Sequence, residues 1–275
     1  MKRVFLANDT QLYHSGCAQV MTEIRTQLTH HKIVQTCPSM YKIQFDSWDS
    51  IDVLVINGEG TLHNNRPSAT GILDLAQRAQ QHNIPVILIN TVWQNMDQHW
   101  RTVTDKLYYW SVRDRLSQEY AQEKFGRKPD FYLDLSVANI PSKTHTTPIS
   151  VAVGNTFDGK VYTRFDSVRH SIFDHNWDDF VGILRNTDMY VTGRFHEIMG
   201  ACAAQTPFIG IHGNSWKVQG LIYSSGIPIP TYDTFDYTYA QTTTFFKHYS
   251  SHFKDFYSWF NSQTVLDINT IIDTV

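Results

Sequence analysis

The sequence predicts an α/β protein made of two Rossmann-like halves that face a cleft. Three observations predict it. Short apolar runs alternate with helical patterns, a polar stretch with two prolines interrupts the alternation at residues 139–148, and the alternation then restarts. Strands separated by helical segments indicate βαβ units and a parallel sheet. We therefore expect one half at 1–140 and a second at 148–275.

The first half contains six strand-like runs, at residues 3–7, 32–36, 53–56, 86–90, 108–112 and 131–133. Helical patterns fall between them, at residues 16–29, 69–81, 97–106 and 116–124. The second half repeats the alternation with strands at 149–153, 189–192 and 207–211 and helices at 177–185, 196–204 and 215–224. The stretch 139–148 has no apolar period and is predicted to be a linker.

The C-terminal part has aromatic residues at three- and four-residue steps, which is one face of a helix: Phe245, Phe246, Tyr249, Phe253, Phe256, Trp259 and Phe260. Either core packing or an interfacial membrane anchor would produce this pattern. Membrane-binding helices usually carry more basic charge than Lys247 and Lys254 provide, so core packing is favoured.

Composition narrows the possible functions. The 275 residues carry a formal charge of −3, so nothing points to nucleic acid. The three cysteines are far apart and lack metal-ligand spacing, which predicts a reducing compartment and no disulfide framework. The 13 histidines have no pairwise ligand spacing either, so no metal site is expected. No apolar stretch approaches the roughly 20 residues that span a bilayer. We expect a cytoplasmic protein without a cofactor.

Glu59 is the most informative residue of the first half. It lies between Gly58 and Gly60, followed by Thr61, directly after the apolar run 53–56. Ligands bind at the carboxyl ends of strands in such sheets. We consider three interpretations: a surface turn, a phosphate cradle formed by the glycines, and a general acid or base. A carboxylate inside a phosphate loop is electrostatically awkward, so the catalytic interpretation is favoured.

Further polar residues follow the later strands of this half. Asp134 is a second carboxylate at the same end of the sheet, either paired with Glu59 in catalysis or capping the strand. Arg113 can bind an anion with its planar guanidinium. Asp114 is expected to cap the next helix, and the Ser117 hydroxyl or amide is expected to bind a carboxylate or phosphate.

The second half repeats this logic. Gly193, Arg194 and His196 stand where a strand ends and a helix begins, which is suited to anion binding; a purely structural His196 is the alternative. His212 follows the next strand, with Ser215 as a helix cap or phosphate ligand and Lys217 just inside the helix.

The loop after the first strand adds His14 and Ser15 as candidate ligand contacts. A nucleophilic role for Cys17 is also considered, although the sequence near it shows no feature that stabilises a thiolate.

Taken in order, five of these blocks resemble the polysaccharide pyruvyl transferase family: 58–61, 113–117, Asp134, 193–196 and 207–210. The resemblance covers most of residues 1–228. It implies a GT-B-like fold and work on bacterial cell-surface polysaccharides such as lipopolysaccharide or capsule. It leaves open peripheral contact with the inner membrane or with other polysaccharide-assembly enzymes.

One departure matters. Members that form pyruvate ketals usually have a third glycine at the position of Glu59. A glutamate there looks more like the retaining β-Kdo glycosyltransferases related to that family. This resemblance implies that Asp134 is the nucleophile and Glu59 the acid/base. Arg194 and His196 would then handle the donor's phosphate or carboxylate, with His196 as a third catalytic residue.

Three hypotheses follow. The leading one is transfer of Kdo, or a similar ulosonic acid, from CMP-Kdo to a saccharide or lipid-linked glycan acceptor. The second is ketal formation with phosphoenolpyruvate as donor. The third is a non-catalytic module that binds a glycan or nucleotide.

Overall fold

The chain divides into two units, each of which draws on separate stretches of the sequence. The computed structural model describes residues 1–38, 47–156, 161–163 and 167–275, with the backbone alone at 161–163. Unit 1 comprises Met1–Gln11, Met21–Leu135 and Thr264–Val275, and unit 2 comprises Leu12–Val20 and Ser136–Gln263. Each unit is built on a parallel sheet with helices, which confirms the predicted fold class. These divisions place the start of the first helix in unit 2 and the C-terminal segment in unit 1.

Unit 1 contains a six-stranded parallel sheet in the order β2-β1-β3-β4-β5-β6. Its strands are β1 (Arg3–Asp9), β2 (Lys32–Pro38), β3 (Val53–Glu59), β4 (Val86–Thr91), β5 (Tyr109–Val112) and β6 (Asp130–Phe131). The helices up to this point are α1 (Ser15–Gln27), which spans both units, α2 (Pro67–Gln81), α3 (Arg101–Thr104) and α4 (Arg115–Phe125). The predicted helix at 97–106 is shorter, because a 3-10 turn at Gln98–Trp100 precedes α3.

The core of unit 1 explains the apolar runs in the sequence. Every residue of β3 and β4 is buried, and Val55 pairs with Leu6 on one side and Ile87 on the other. Strands covered on both faces are expected to be apolar throughout rather than alternating. Beyond the strands, Trp93 is fully buried and meets Trp110 edge-on at 4.9 Å between ring centroids.

Unit 2 contains a five-stranded parallel sheet in the order β12-β11-β10-β7-β9 and a separate parallel pair, β8 and β13. Its strands are β7 (Ala152–Val153), β8 (Val161–Thr163), β9 (Val168–Arg169), β10 (Tyr190–Thr192), β11 (Phe208–Ile211), β12 (Thr231–Tyr232) and β13 (Phe235–Tyr237). Its helices are α5 (Trp177–Leu184), α6 (Phe195–Ala204), α7 (Lys217–Ser225) and α8 (Tyr239–Asn261).

The aromatic helix α8 packs into the core of unit 2, as favoured from its sequence. Phe253 and Phe256 lie against Phe208, with ring centroids 5.4 and 5.8 Å apart. The Tyr257 hydroxyl donates to the Thr206 carbonyl at 2.6 Å. Across the described residues, no helix has both the length and the apolar character needed to cross a membrane.

The predicted linker and the C-terminal segment are each held by specific hydrogen bonds. The predicted linker is held against α5, where the His145 amide donates to the Gly182 carbonyl at 3.2 Å. The last helix, α9 (Ile268–Asp273), belongs to unit 1 because the Ile268 amide donates to Gln27 Oε1 at 2.8 Å. The C-terminal Val275 carbonyl accepts from Lys2 Nζ at 2.7 Å.

Candidate functional site

In unit 1 a hydrogen-bonded group of polar side chains occupies the carboxyl end of the sheet, where ligands bind in parallel α/β proteins. Asn8 donates to the Asn57 carbonyl at 2.5 Å, and Asn57 Nδ2 donates to Glu59 Oε1 at 3.1 Å. Asn90 Nδ2 donates to Asn57 Oδ1 at 3.4 Å, while Asn90 Oδ1 accepts from the Leu135 amide at 3.2 Å. Three buried asparagines thus connect strands β1, β3 and β4.

Glu59 is the last residue of β3 rather than part of a glycine turn. Strand β3 runs through Gly58 to Glu59. Position 58 requires glycine, because a Cβ there would lie only 2.3 Å from the Cβ of Thr91 on β4. Glu59 has a φ of 42°, a left-handed conformation that costs a non-glycine residue energy. Its carboxylate is buried and accepts from Thr10 Oγ1 at 2.5 Å. Gly60 and Thr61 follow it, half-buried.

Asp134 forms a buried ion pair. The Asp134 side chain is 0% exposed and that of Arg113 2% exposed, with 2.5 Å between Arg113 Nη1 and Asp134 Oδ2. Both carboxylates predicted to act together lie at the carboxyl end of this sheet, but their recorded partners differ. Glu59 bonds to Thr10 and Asn57, whereas Asp134 pairs with Arg113.

Asp114 caps helix α4, as expected from the sequence. Its carboxylate accepts from the Ser117 amide at 2.7 Å and from the Ser117 hydroxyl at 2.8 Å. Burial raises the pKa of Asp114 to about 6, against the opposing effect of the Ser117 hydrogen bonds. The Ser117 hydroxyl also accepts from the Trp93 amide at 2.9 Å. Ser117 therefore joins α4 to the chain after β4.

In unit 2, side chains from two distant parts of the sequence converge. Cys17 Sγ lies 3.5 Å from His14 Nε2 and 4.0 Å from His196 Nδ1. The two imidazole rings meet edge-on with centroids 5.0 Å apart. Gly16 makes this approach possible, since a Cβ there would stand 2.5 Å from the Cβ of His196. The sequence names the two histidines as candidates, but it contains no signal that they meet.

The surroundings of this cluster are cationic. Burial, together with charge repulsion from His196, Arg194 and Lys217, lowers the pKa of His14 to about 2. Lys217 is itself buried and donates to Asn214 Oδ1 at 3.1 Å. The Arg194 guanidinium lies over the Phe173 ring, 5.4 Å from its centroid. This part of unit 2 is therefore suited to an anionic ligand.

The remaining predicted site residues of unit 2 are Ser15, His212 and Ser215, and the structure gives each of them a defined position. Ser15 donates through its hydroxyl to the Ile172 carbonyl at 2.9 Å. His212 Nδ1 lies 2.9 Å from Asp233 Oδ1, and its Nε2 lies 2.6 Å from the Thr231 hydroxyl. Trp216, not Ser215, is the N-cap of α7, so the capping alternative for Ser215 is wrong: the helix starts two residues later than predicted.

Sequence reasoning missed Glu197, which follows His196 on α6. Glu197 is fully buried and accepts from the Asn155 amide at 2.9 Å, the Ser171 hydroxyl at 2.8 Å and the Thr192 hydroxyl. Burial raises its pKa. These bonds join the segments that follow β7 and β9 to the end of β10. A glutamate directly after a predicted site histidine, within an otherwise apolar helix, was the available signal.

Comparison with known proteins identifies the family. The sequence model of the polysaccharide pyruvyl transferase family matches residues 25–214, more than half of the chain. The chain therefore belongs to the polysaccharide pyruvyl transferase family, which supports a transferase of polysaccharide synthesis. No curated protein sequence matches the chain.

Several solved structures share the fold at low sequence identity. A functionally uncharacterised protein from Klebsiella pneumoniae has a TM-score of 0.55 at 14% identity, covering 85% of this chain and 93% of its own. The MnaA–UDP structure from S. aureus scores 0.59 at 7% identity, covering 94% and 91%. The Arabidopsis thaliana UGT89C1–quercetin structure scores 0.52 at 7% identity, covering 100% and 98%. These likenesses support a GT-B-like fold and carry no information on substrate.

Proposed function

We propose that this member of the polysaccharide pyruvyl transferase family transfers the pyruvyl group of phosphoenolpyruvate to a saccharide, forming a ketal. The observation that carries the proposal is the cationic cluster of unit 2, of which Arg194 and His196 lie within the region that matches the family. Phosphoenolpyruvate carries a phosphate and a carboxylate on one carbon atom. Arg194 offers a planar fork to one of these groups, and Lys217 a compact charge to the other.

The reaction needs the charges that this cluster supplies. Protonation at the methylene carbon of phosphoenolpyruvate builds positive charge on the carbon that bears the phosphate. One acceptor hydroxyl adds there and loses its proton; phosphate then leaves and a second hydroxyl closes the ketal. Fixed positive groups stabilise the phosphate as it departs. Glu59 is the candidate group for the proton transfers, and it is tested by substitution.

Kdo transfer from CMP-Kdo is the competing hypothesis, and it depends on Asp134 as nucleophile. A nucleophilic carboxylate must present an oxygen to the anomeric carbon. The Asp134 side chain is fully buried and paired with Arg113, which favours a structural role. We therefore place pyruvyl transfer first and test Kdo transfer in the same experiment.

The deciding experiment is a donor screen read by mass. The full chain is incubated with phosphoenolpyruvate or CMP-Kdo and a panel of hexosides and N-acetylhexosaminides. We expect a pyruvylated product and one phosphate released for each ketal formed. A Kdo-sized adduct on the intact protein, lost in Asp134→Asn, would establish the competing hypothesis. Binding of phosphoenolpyruvate without turnover of either donor would indicate a non-catalytic module.

Donor binding can be measured without an acceptor. Lys217→Gln is expected to weaken phosphoenolpyruvate binding about 10- to 100-fold, the value of one charged hydrogen bond. Lys247→Gln, on the exposed face of α8, is the matched control and should leave binding unchanged. Equal affinity in both variants would remove Lys217 from the site. Glu59→Gln keeps the acceptor for Thr10 and should lower turnover by about 10²- to 10⁴-fold while phosphoenolpyruvate still binds.

A further inference from the structure

The cluster of His14, Cys17 and His196 at the start of α1 consists of side chains of the types that bind metal ions in proteins. Within unit 2, one ligand atom from each of His14, Cys17 and His196 lies within 4.8 Å of the others. Imidazole nitrogen and thiolate sulfur are the donors that Zn²⁺ and similar transition-metal ions select. The geometric question is whether these atoms can surround a single ion.

We propose that His14, Cys17 and His196 bind one transition-metal ion of the zinc class, leaving its fourth coordination position for an anionic oxygen. This inference goes beyond pyruvyl transfer and does not rest on it, because ion binding is measurable without any donor or acceptor. It also replaces the expectation, drawn from the spacing of possible ligands in the sequence, that the chain has no metal site.

The two sulfur–nitrogen separations are close to those around a tetrahedral ion. Zinc–sulfur bonds of about 2.3 Å and zinc–nitrogen bonds of about 2.0 Å at a tetrahedral angle put sulfur and nitrogen about 3.5 Å apart. The Cys17 sulfur lies 3.5 Å from the His14 nitrogen, which matches, and 4.0 Å from the His196 nitrogen. A small inward turn of the His196 ring would bring this third ligand to the same distance.

The local sequence explains how three ligands meet. His14 precedes α1 and Cys17 lies in its first turn, so residues three apart present their side chains on one face. Gly16 between them has no Cβ, which lets His196 pack directly against this turn. His14 and Cys17, with two residues between them, therefore provide two ligands, and His196 on α6 provides the third.

Binding an ion changes one hydrogen bond. His14 Nδ1 accepts from the Cys17 amide at 3.2 Å. Coordination through Nε2 places the ring proton on Nδ1, so this long hydrogen bond is exchanged for a metal–nitrogen bond. The structure thus predicts that the tautomer of His14 changes when the ion binds.

The charges around the cluster select the fourth ligand. A divalent ion with one thiolate and two neutral imidazoles carries a net charge of +1. Arg194 and Lys217 add positive charge in the same region, since both act on His14. An anion in the open position offsets this repulsion. A phosphate or carboxylate oxygen has the required chemistry, and inorganic phosphate serves as the probe.

The test is a titration of the metal-free full chain with Co²⁺ and Zn²⁺. We expect one ion per chain, with the visible bands of tetrahedral cobalt and a thiolate-to-cobalt charge-transfer band. Cys17→Ser should weaken binding more than about 100-fold, since loss of an outer partner alone costs about 10- to 100-fold. Cys37→Ser and His99→Ala are the matched controls and should bind as the unmodified chain does.

A second measurement avoids substitutions that could disturb folding. Alkylation of Cys17 by iodoacetamide is followed by peptide mass in the unmodified chain. Zn²⁺ should slow it at least about tenfold and a chelator should restore it, while Cys37 is unaffected. Inorganic phosphate should shift the cobalt bands if it takes the fourth position. A cobalt spectrum without the thiolate band, equal affinity in Cys17→Ser, or unchanged alkylation would overturn the metal site; an unchanged spectrum with phosphate would overturn the anionic fourth ligand.

Discussion

The carboxyl ends of the two sheets are built from opposite kinds of side chain. In unit 1 the asparagines bond to one another and to Glu59, and Asp134 is paired with Arg113. In unit 2 the imidazoles of His14 and His196 gather beside two positively charged side chains. The first arrangement uses its polar groups within the unit, whereas the second concentrates positive charge that an anion can offset.

This difference assigns different roles to the two regions. Buried groups that satisfy each other contribute to stability and specific structure. Convergent cationic and ligating groups are characteristic of binding sites. Apart from Glu59, which we propose for proton transfer, substitutions in unit 1 should therefore change the free energy of unfolding, and substitutions in the unit 2 cluster should change ligand binding. The predictions below test that division.

The largest effect is expected from breaking the ion pair of unit 1. Asp134→Ala leaves the Arg113 guanidinium buried with its carboxylate removed, so it should lower the free energy of unfolding by about 3–5 kcal/mol. Denaturant unfolding measures this change. Asp52→Ala, which removes an exposed partner of Arg3, is the control and should cost less than about 1 kcal/mol. A stable Asp134→Ala chain without transfer activity would instead support the nucleophile hypothesis.

The next effect is expected in unit 2. Gly16→Ala places a Cβ about 2.5 Å from that of His196, so α1 and His196 must move apart. A displacement of about an ångström can cost about 100-fold in activity. We expect phosphoenolpyruvate turnover to fall by this factor. The overpacking should also lower the free energy of unfolding by about 1–3 kcal/mol.

Gly226→Ala is the control for Gly16→Ala. Its φ of 70° strains an alanine, but nothing lies within 4 Å of the added Cβ. It should cost about 1 kcal/mol of stability and leave turnover unchanged. Full activity in Gly16→Ala would show that close contact between α1 and His196 is not needed for the reaction.

The sequence predicts the regular parts of the fold because they depend on local pattern. The long apolar strands β3 and β4 and the aromatic face of α8 carry clear periods. Two-residue strands such as β9 and β12 have no period, so they are found only in the structure. The segment with α9 joins unit 1 through contacts to Gln27 and Lys2, far away in sequence, and local pattern contains no trace of these.

The candidate site divides in the same way. Glu59 and Arg194 could be selected because polar residues directly after predicted strands are expected near ligands. The contact between Cys17 and His196 joins residues 179 positions apart, and buried Asp134 pairs with Arg113, which follows strand β5. Burial and partners are tertiary properties, so sequence patterns name the residues but not their surroundings.

A smaller effect concerns the pH dependence of unit 1. The pKa of Asp114 is about 6 in the folded chain against 3.8 ordinarily, so the folded state binds more protons between these values. Stability should therefore fall as pH rises from about 4 to 6, by on the order of 2–3 kcal/mol. Asp114→Asn keeps a helix-capping side chain and should make the free energy of unfolding nearly independent of pH in this range.

Asp52→Asn is the control for Asp114→Asn, because the contribution of Asp52 to stability changes with pH in the opposite direction. The hydrogen bond from Arg3 lowers the pKa of Asp52, so its contribution is present at neutral pH and lost as pH falls. Asp52→Asn should therefore reduce stability more at pH 7 than at pH 3. Thermal unfolding across this pH range measures both variants. An unchanged slope in Asp114→Asn would show that Asp114 does not titrate in this window.

The smallest effect tests whether unit 2 outside its cluster behaves as an ordinary packed core. Tyr257→Phe removes the hydroxyl that donates to the Thr206 carbonyl at 2.6 Å and keeps the ring against Phe253. One buried neutral hydrogen bond is worth about 1 kcal/mol, so unfolding should shift by that amount. Phosphoenolpyruvate binding and Co²⁺ binding should match the unmodified chain, because Tyr257 bonds to Thr206 just before β11 begins, whereas His212 follows the end of that strand. A loss of either ligand in Tyr257→Phe would mean that the positive cluster depends on the packing of α8, and the division between a binding region and a structural core in unit 2 would fail.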